Sequence, residues 1–228
     1  MNTLQLWAGC ALLAFGLPRA AQALDLALPG GARMQVPVAS IKQLRFSTTL
    51  RQQYDFSCGS AALATLLTHH YRHPVSEQVV FERMFARGDQ ARIRKEGFSL
   101  LDMQRFLAER GFRADGFQLP LQKLIDSQVP AVVLISDRGY KHFVVIKGVT
   151  DGRVLIGDPS SGTRMLTQAA FEAIWSSRLL FVIHGSKAAP AFNSAADWRA
   201  APAAPLGQGI ERGSLAAITM PKLGPGEF

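Results

Sequence analysis

The repeat distance of apolar residues changes about midway along this chain, and that change narrows the choice of fold. Before residue 130 the apolar side chains recur at helical spacing: Ala62, Leu63, Leu66 and Leu67 form one stripe, and Leu100, Met103 and Leu107 form another. After it they run together, as AVVLIS at 131–136, HFVVIKGV at 142–149, RVLIGD at 153–158 and RLLFVI at 178–183, with Gly139, Asp151 and Gly152 marking turns. Helices first and strands after predict an α+β fold, in which N-terminal helices pack on a C-terminal antiparallel sheet.

Local signals set the expected boundaries. A first helix runs from Cys58 to about Tyr71. A second starts after Ser76 as N-cap and runs to Ala86, with Val79, Val80 and Met84 for burial and Gly88 beyond its end, where a basic loop follows. Ser99 caps the third, with Asp102 in its first turn and Gly111 after its end. A short helix follows Leu119-Pro120 to about Ser127, and another spans Thr167 to Trp175.

With 228 residues, 48% of them hydrophobic and 18% charged, the chain has the composition of one packed domain. Residues 1–23 read as a signal peptide: an apolar run from Leu6 to Leu17, then Pro18, then Ala21-Gln22-Ala23 as a cleavage site, with Cys10 inside the signal. The expected location is therefore periplasmic or otherwise exported. Residues 24–45 read as an N-terminal extension, 46–185 as the folded domain, and the Ala-, Pro- and Gly-rich 186–228 as a flexible tail. The formal charge is +8, yet the basic residues are scattered without interleaved aromatics, which argues against nucleic acid as a partner.

Loss of the signal leaves Cys58 as the lone thiol. At the N-terminus of a helix a thiol meets unpaired backbone N–H groups, which favour the thiolate and lower its pKa, so Cys58 is a candidate nucleophile; a buried structural cysteine explains the position equally well. A nucleophilic thiol needs a base. Of the five histidines, His69, His70 and His73 lie at the far end of that helix, about 15 Å from the thiol, and read as cap or surface residues. They lack the accompanying carboxylate or thiolate of a metal site, so neither metal nor cofactor is expected. His142 opens an apolar strand and is the preferred base, with His184 at a strand exit in reserve.

Two adjacent antiparallel strands turning at Asp151-Gly152 bring Asp158 to the strand end beside His142, where a carboxylate fixes the tautomer of an imidazole. The context Asp-Pro-Ser-Ser-Gly is also ordinary turn chemistry. Gln52, on the segment entering the Cys58 helix, offers a side-chain amide to a developing oxyanion.

Taken together, QQYDFSCGSAALATLL, HFVVIKGV and VLIGDPSSG resemble the bacteriocin-processing double-glycine peptidases, a papain-related family of cysteine peptidases. The resemblance covers about residues 46–185 and implies a papain-like fold in which Cys58, His142, Asp158 and Gln52 take the family's catalytic positions. Members are often fused to ATP-driven exporters, whereas this chain carries no P-loop of the form GxxxxGK[ST]. Freestanding exported members resemble the peptidase-like component associated with secretion of functional bacterial amyloid. The implied partner is then an exported polypeptide, such as a secreted or amyloid-forming protein, with association with a membrane secretion system. The expected activity is a cysteine endopeptidase; an idle peptide-binding module and a cysteine acyltransferase or amidase are the alternatives.

Overall fold

A computed structural model describes residues 39–137, 139–186 and 188–201, together with the backbone of strands at 23–27 and 33–37. The chain divides into two units, Met1–Ser40 and Ile41–Phe228. In the first, β1 (Ala23–Ala27) pairs antiparallel with β2 (Arg33–Pro37), from Ala23 opposite Pro37 to Ala27 opposite Arg33. Residues 1–22 of the expected signal peptide lie outside the described residues. No helix among the described residues is long and apolar enough to cross a membrane.

The second unit has the expected layers. After α1 (Ile41–Arg45) come α2 (Cys58–Thr65), α3 (Glu77–Arg87), α4 (Gln90–Glu96) and α5 (Leu100–Glu109). Then follow β3 (Arg113–Gln118), α6 (Leu121–Ser127), β4 (Ala131–Asp137), β5 (Tyr140–Thr150), β6 (Arg153–Asp158), β7 (Gly162–Thr167), α7 (Gln168–Ile174), β8 (Leu179–His184) and α8 (Ala195–Ala200). The sheet has six strands in the order β3-β8-β4-β5-β6-β7, every neighbouring pair antiparallel.

Both faces of the sheet are covered. On one, Leu63 of α2, Leu66 and Leu67 of the turn that continues it, Val80 and Met84 of α3 and Met103 and Leu107 of α5 pack with Val132, Phe143, Val145 and Phe181. On the other, Leu121 and Leu124 of α6 and Phe171 and Trp175 around α7 pack with Val133, Ile135, Val144, Ile146 and Ile156. Burial on both sides is why β4, β5 and β6 read as continuous apolar runs and not as alternation.

Capping follows the sequence where its signals are strong. Ser99 and Asp102 form a reciprocal capping box at α5, and Ser76 accepts from the Val79 N–H at α3. The Cys58 helix ends sooner than expected, because from Leu66 to His70 it widens into a π-helical turn. The expected basic loop after Gly88 is instead α4, started by Asp89, whose Oδ1 accepts from Arg92 N at 3.0 Å, and anchored by buried Ile93. The edge strands β3 and β7 were not expected, because Gly and polar residues break their apolar pattern.

The expected tail 186–228 is corrected over its first part. Ala191 N donates to His70 O at 2.8 Å and Asn193 N to Lys147 O at 3.0 Å, and Asp197 of α8 is buried in an ion pair with fully buried Lys147. An Ala- and Pro-rich composition concealed this anchor, since one carboxylate meeting a buried ammonium leaves no periodic trace. Residues 202–228 lie outside the described residues. His70, expected as a cap or surface residue, is also buried, and its Nδ1–H donates to Ala191 O at 2.7 Å.

Candidate active site

Cys58 is the first residue of α2 and is 7% exposed. Gly59 follows because α2 packs tightly there: a Cβ at that position would stand 2.8 Å from Met103 Cε and 3.1 Å from Phe98 Cβ. Behind it the Ser60 hydroxyl donates to Glu77 Oε1 at 2.7 Å and ties α2 to α3. The expected lowering of the thiol's pKa is outweighed. Burial pushes the Cys58 thiol up; hydrogen bonds from the Phe143 and Gly59 backbone oppose the rise and the nearby Asp158 charge adds to it. A thiol held protonated at rest needs a base within the site, and the influence of Phe143 and Asp158 puts it beside the start of β5 and the end of β6.

There the β5–β6 hairpin, in register with Val145 opposite Gly157, carries His142 and Asp158 to the same end of the sheet. His142 Nε2–H donates to Asp158 Oδ2 at 3.1 Å, with both side chains almost fully buried. That donation fixes the neutral imidazole as the Nε2–H tautomer and leaves the lone pair on Nδ1. Nδ1 is buried and has no hydrogen-bond partner among the described residues.

Asp158 also serves its turn. Its Oδ1 accepts from Ser160 N at 2.9 Å and from the Ser160 hydroxyl at 2.6 Å, so the turn and the carboxylate that meets His142 are one structure. Burial alone would raise its carboxyl, but the hydrogen bonds from His142 and Ser160 and the charge of His142 hold it well below the usual carboxylate range. The backbone leaves this turn through Gly162, at φ +83°, where a Cβ would also collide with Arg45.

Gln52 lies in the loop before α2, which its backbone N–H fastens to the same turn through Pro159 O at 3.1 Å. Its side-chain amide donates to Tyr54 O at 3.0 Å and, more weakly, to Asp55 O at 3.4 Å. It therefore stands next to the Cys58 helix with its donors turned to its own loop. His184, the reserve base, is separated from β5 by strand β4 and is bound to Asp115 on edge strand β3, its Nε2 2.5 Å from Oδ2.

Two further side chains at this site escaped the sequence. Tyr140 stacks on His142, ring centroids 5.2 Å apart, and its hydroxyl donates to Asp55 O at 2.8 Å, bridging β5 to the loop before α2. Arg164 Nη2 on β7 lies 3.2 Å from Asp158 Oδ2 and 3.1 Å from Asp137 Oδ2. The position of Tyr140, two residues before His142 on the same strand face, was a usable signal. Arg164 offered none, because its strand was not expected.

Helices on both faces of this antiparallel sheet, with Cys58, the one cysteine among the described residues, starting a helix against a His–Asp hairpin, make up a papain-like cysteine peptidase. The match to the peptidase C39 family over residues 47–187 covers more than half of the chain, and the protein belongs to that family. It is 41% identical over 157 residues to the protein named "Probable functional amyloid protease FapD" of Pseudomonas aeruginosa, covering 69% of this chain and 70% of that one. Its identity to the protein of the same name in Pseudomonas fluorescens is also 41%, over 177 residues, 77% of this chain and 78% of the relative. Among solved structures it resembles the peptidase domain of Streptococcus ComA, a bi-functional ABC transporter involved in a quorum-sensing pathway. That likeness has a TM-score of 0.50 at 20% identity, covers 60% of this chain and 96% of the domain, and shows the fold.

Proposed function

We propose that this cysteine peptidase is exported and cleaves a secreted, amyloid-forming polypeptide, with Cys58 as nucleophile, His142 as base, Asp158 as the group that orients it, and Gln52 with the Cys58 backbone N–H as oxyanion donors. The observation that carries the reading is the His142 ring. Asp158 occupies Nε2–H and leaves Nδ1 as a buried lone pair with no partner among the described residues, on the strand beside the thiol. Identity to the two named amyloid proteases over more than two thirds of their length supports the substrate class.

The chemistry runs in two halves. His142 Nδ1 takes the thiol proton as Sγ attacks the scissile carbonyl, forming the S–C bond and a tetrahedral oxyanion. Collapse breaks the C–N bond, and the imidazolium gives its proton to the departing amine, leaving a thioester. Water, deprotonated by the same imidazole, attacks the thioester; Sγ leaves and recovers the proton. Gln52 reaches the oxyanion by giving up its long contact to Asp55 O, which the Tyr140 hydroxyl continues to satisfy.

Comparing the secreted proteins of the producing organism with wild-type chain and with Cys58→Ala tests the proposal. One or more secreted polypeptides gain mass in the variant strain because a cleavage is lost. An unchanged set of secreted masses contradicts it.

A further inference from the structure

The Asp158 carboxylate is shared more widely than one orienting contact requires. Its Oδ1 is held by Ser160, and its Oδ2 receives both His142 Nε2 at 3.1 Å and Arg164 Nη2 at 3.2 Å. The same guanidinium nitrogen lies 3.1 Å from Asp137 Oδ2 at the end of β4. Arg164 thus reaches from β7 across the ends of β6 and β5 to β4, and brackets the strand that carries the imidazole. Its Nε is buried without a hydrogen-bond partner among the described residues, a cost that a residue placed only for stability would shed.

We propose that Arg164 is a positioning residue of the active site, which locks the Asp158 carboxylate toward His142 and, by its charge, restrains protonation of the imidazole. This rests on the assignment of His142 and Asp158 as base and orienting group. An ammonium or guanidinium on the same oxygen draws on the negative potential that would otherwise stabilise an imidazolium, so the base gives up its proton to the leaving amine more readily. Asp137 opposes this by drawing Arg164 outward, so the two residues bias His142 in opposite directions. The other groups around the ring are the Cys58 thiol from α2 and the Tyr140 hydroxyl from β5; the Asp158 charge acts on both, and the hydroxyl is tied to Asp55 O.

The ring resonances of His142, followed by NMR against pH in the full chain carrying Cys58→Ala to remove the thiol, read this balance directly. R164M moves the His142 titration curve up by about 0.5–1 pH unit, R164K restores it toward wild type because the charge returns, and D137N moves it down. A purely structural Arg164 would lower stability without displacing the curve. D137N leaves the guanidinium in place and decides the matter alone if R164M does not fold. A curve that D158N lowers but that stands still in the Arg164 and Asp137 variants overturns the role of Arg164 alone. A curve that none of these variants moves overturns both that role and the His142–Asp158 assignment.

Discussion

At the level of single residues, chemistry here depends on which hydrogen bonds are already committed. Asp158 has no spare capacity, His142 has one nitrogen without a partner among the described residues, and Gln52 has donors engaged by loop carbonyls of which one contact, to Asp55 O at 3.4 Å, is weak. Gln52→Ala therefore lowers kcat by about 10²–10³-fold with little change in KM, the loss of one oxyanion donor. Steady-state kinetics on the polypeptide found by the secretome comparison measures it; a variant that alters KM alone would remove Gln52 from the transition state. The placement of Cys58, His142 and Asp158 was legible because each sits at or near the end of an element the sequence marks clearly. The thiol's raised pKa was not legible, because it depends on how deeply α2 sinks between α5 and β5, which only packing decides.

The elements divide by how strongly their own residues specify them. Helix α5 carries a capping box and an apolar stripe, so its start at Ser99 could be read directly. The strands β4, β5 and β6 could be read as buried runs because both faces of the sheet are covered. The two edge strands could not. Strand β3, RADGFQ, and strand β7, GTRMLT, take their β-structure from pairing with β8 and β6, a long-range cause that leaves little local trace. Helix α4 read as a basic loop because one buried apolar residue, Ile93, suffices to dock seven residues. The π-helical turn after α2 brings buried His70 to the end of a helix whose stripe suggested plain α-helix to Tyr71.

Over the whole molecule, the segment after β8 is held by buried polar groups in place of an apolar stripe. Lys147 Nζ donates to Thr48 O and Thr48 Oγ1 at 2.6 Å each and pairs with Asp197, while His70 donates to Ala191 O. Burial, together with the charge of Lys147, lowers the His70 pKa to about 4 from its ordinary 6.5. The unfolded chain therefore binds this proton first as pH falls. His70 contributes no penalty above pH 6.5 and withdraws stability progressively between 6.5 and about 4. Going from about pH 7 to about pH 5 costs ~2 kcal/mol from this residue. The urea midpoint falls accordingly in wild type and much less in His70→Asn, whose amide keeps the donation without titrating; equal falls in both would assign the loss elsewhere. Asp158 and Asp197, both held below the usual carboxylate range, withdraw their contributions only under more acid conditions.

The proposed function requires one thiol and one imidazole to act as a pair. Its most direct measure is the rate at which iodoacetamide alkylates Cys58 at neutral pH, followed by mass spectrometry of the Cys58 peptide in wild type and His142→Ala. Because burial holds the thiol protonated, alkylation depends on His142 and slows about tenfold or more in the variant. Equal rates in the two proteins would contradict it.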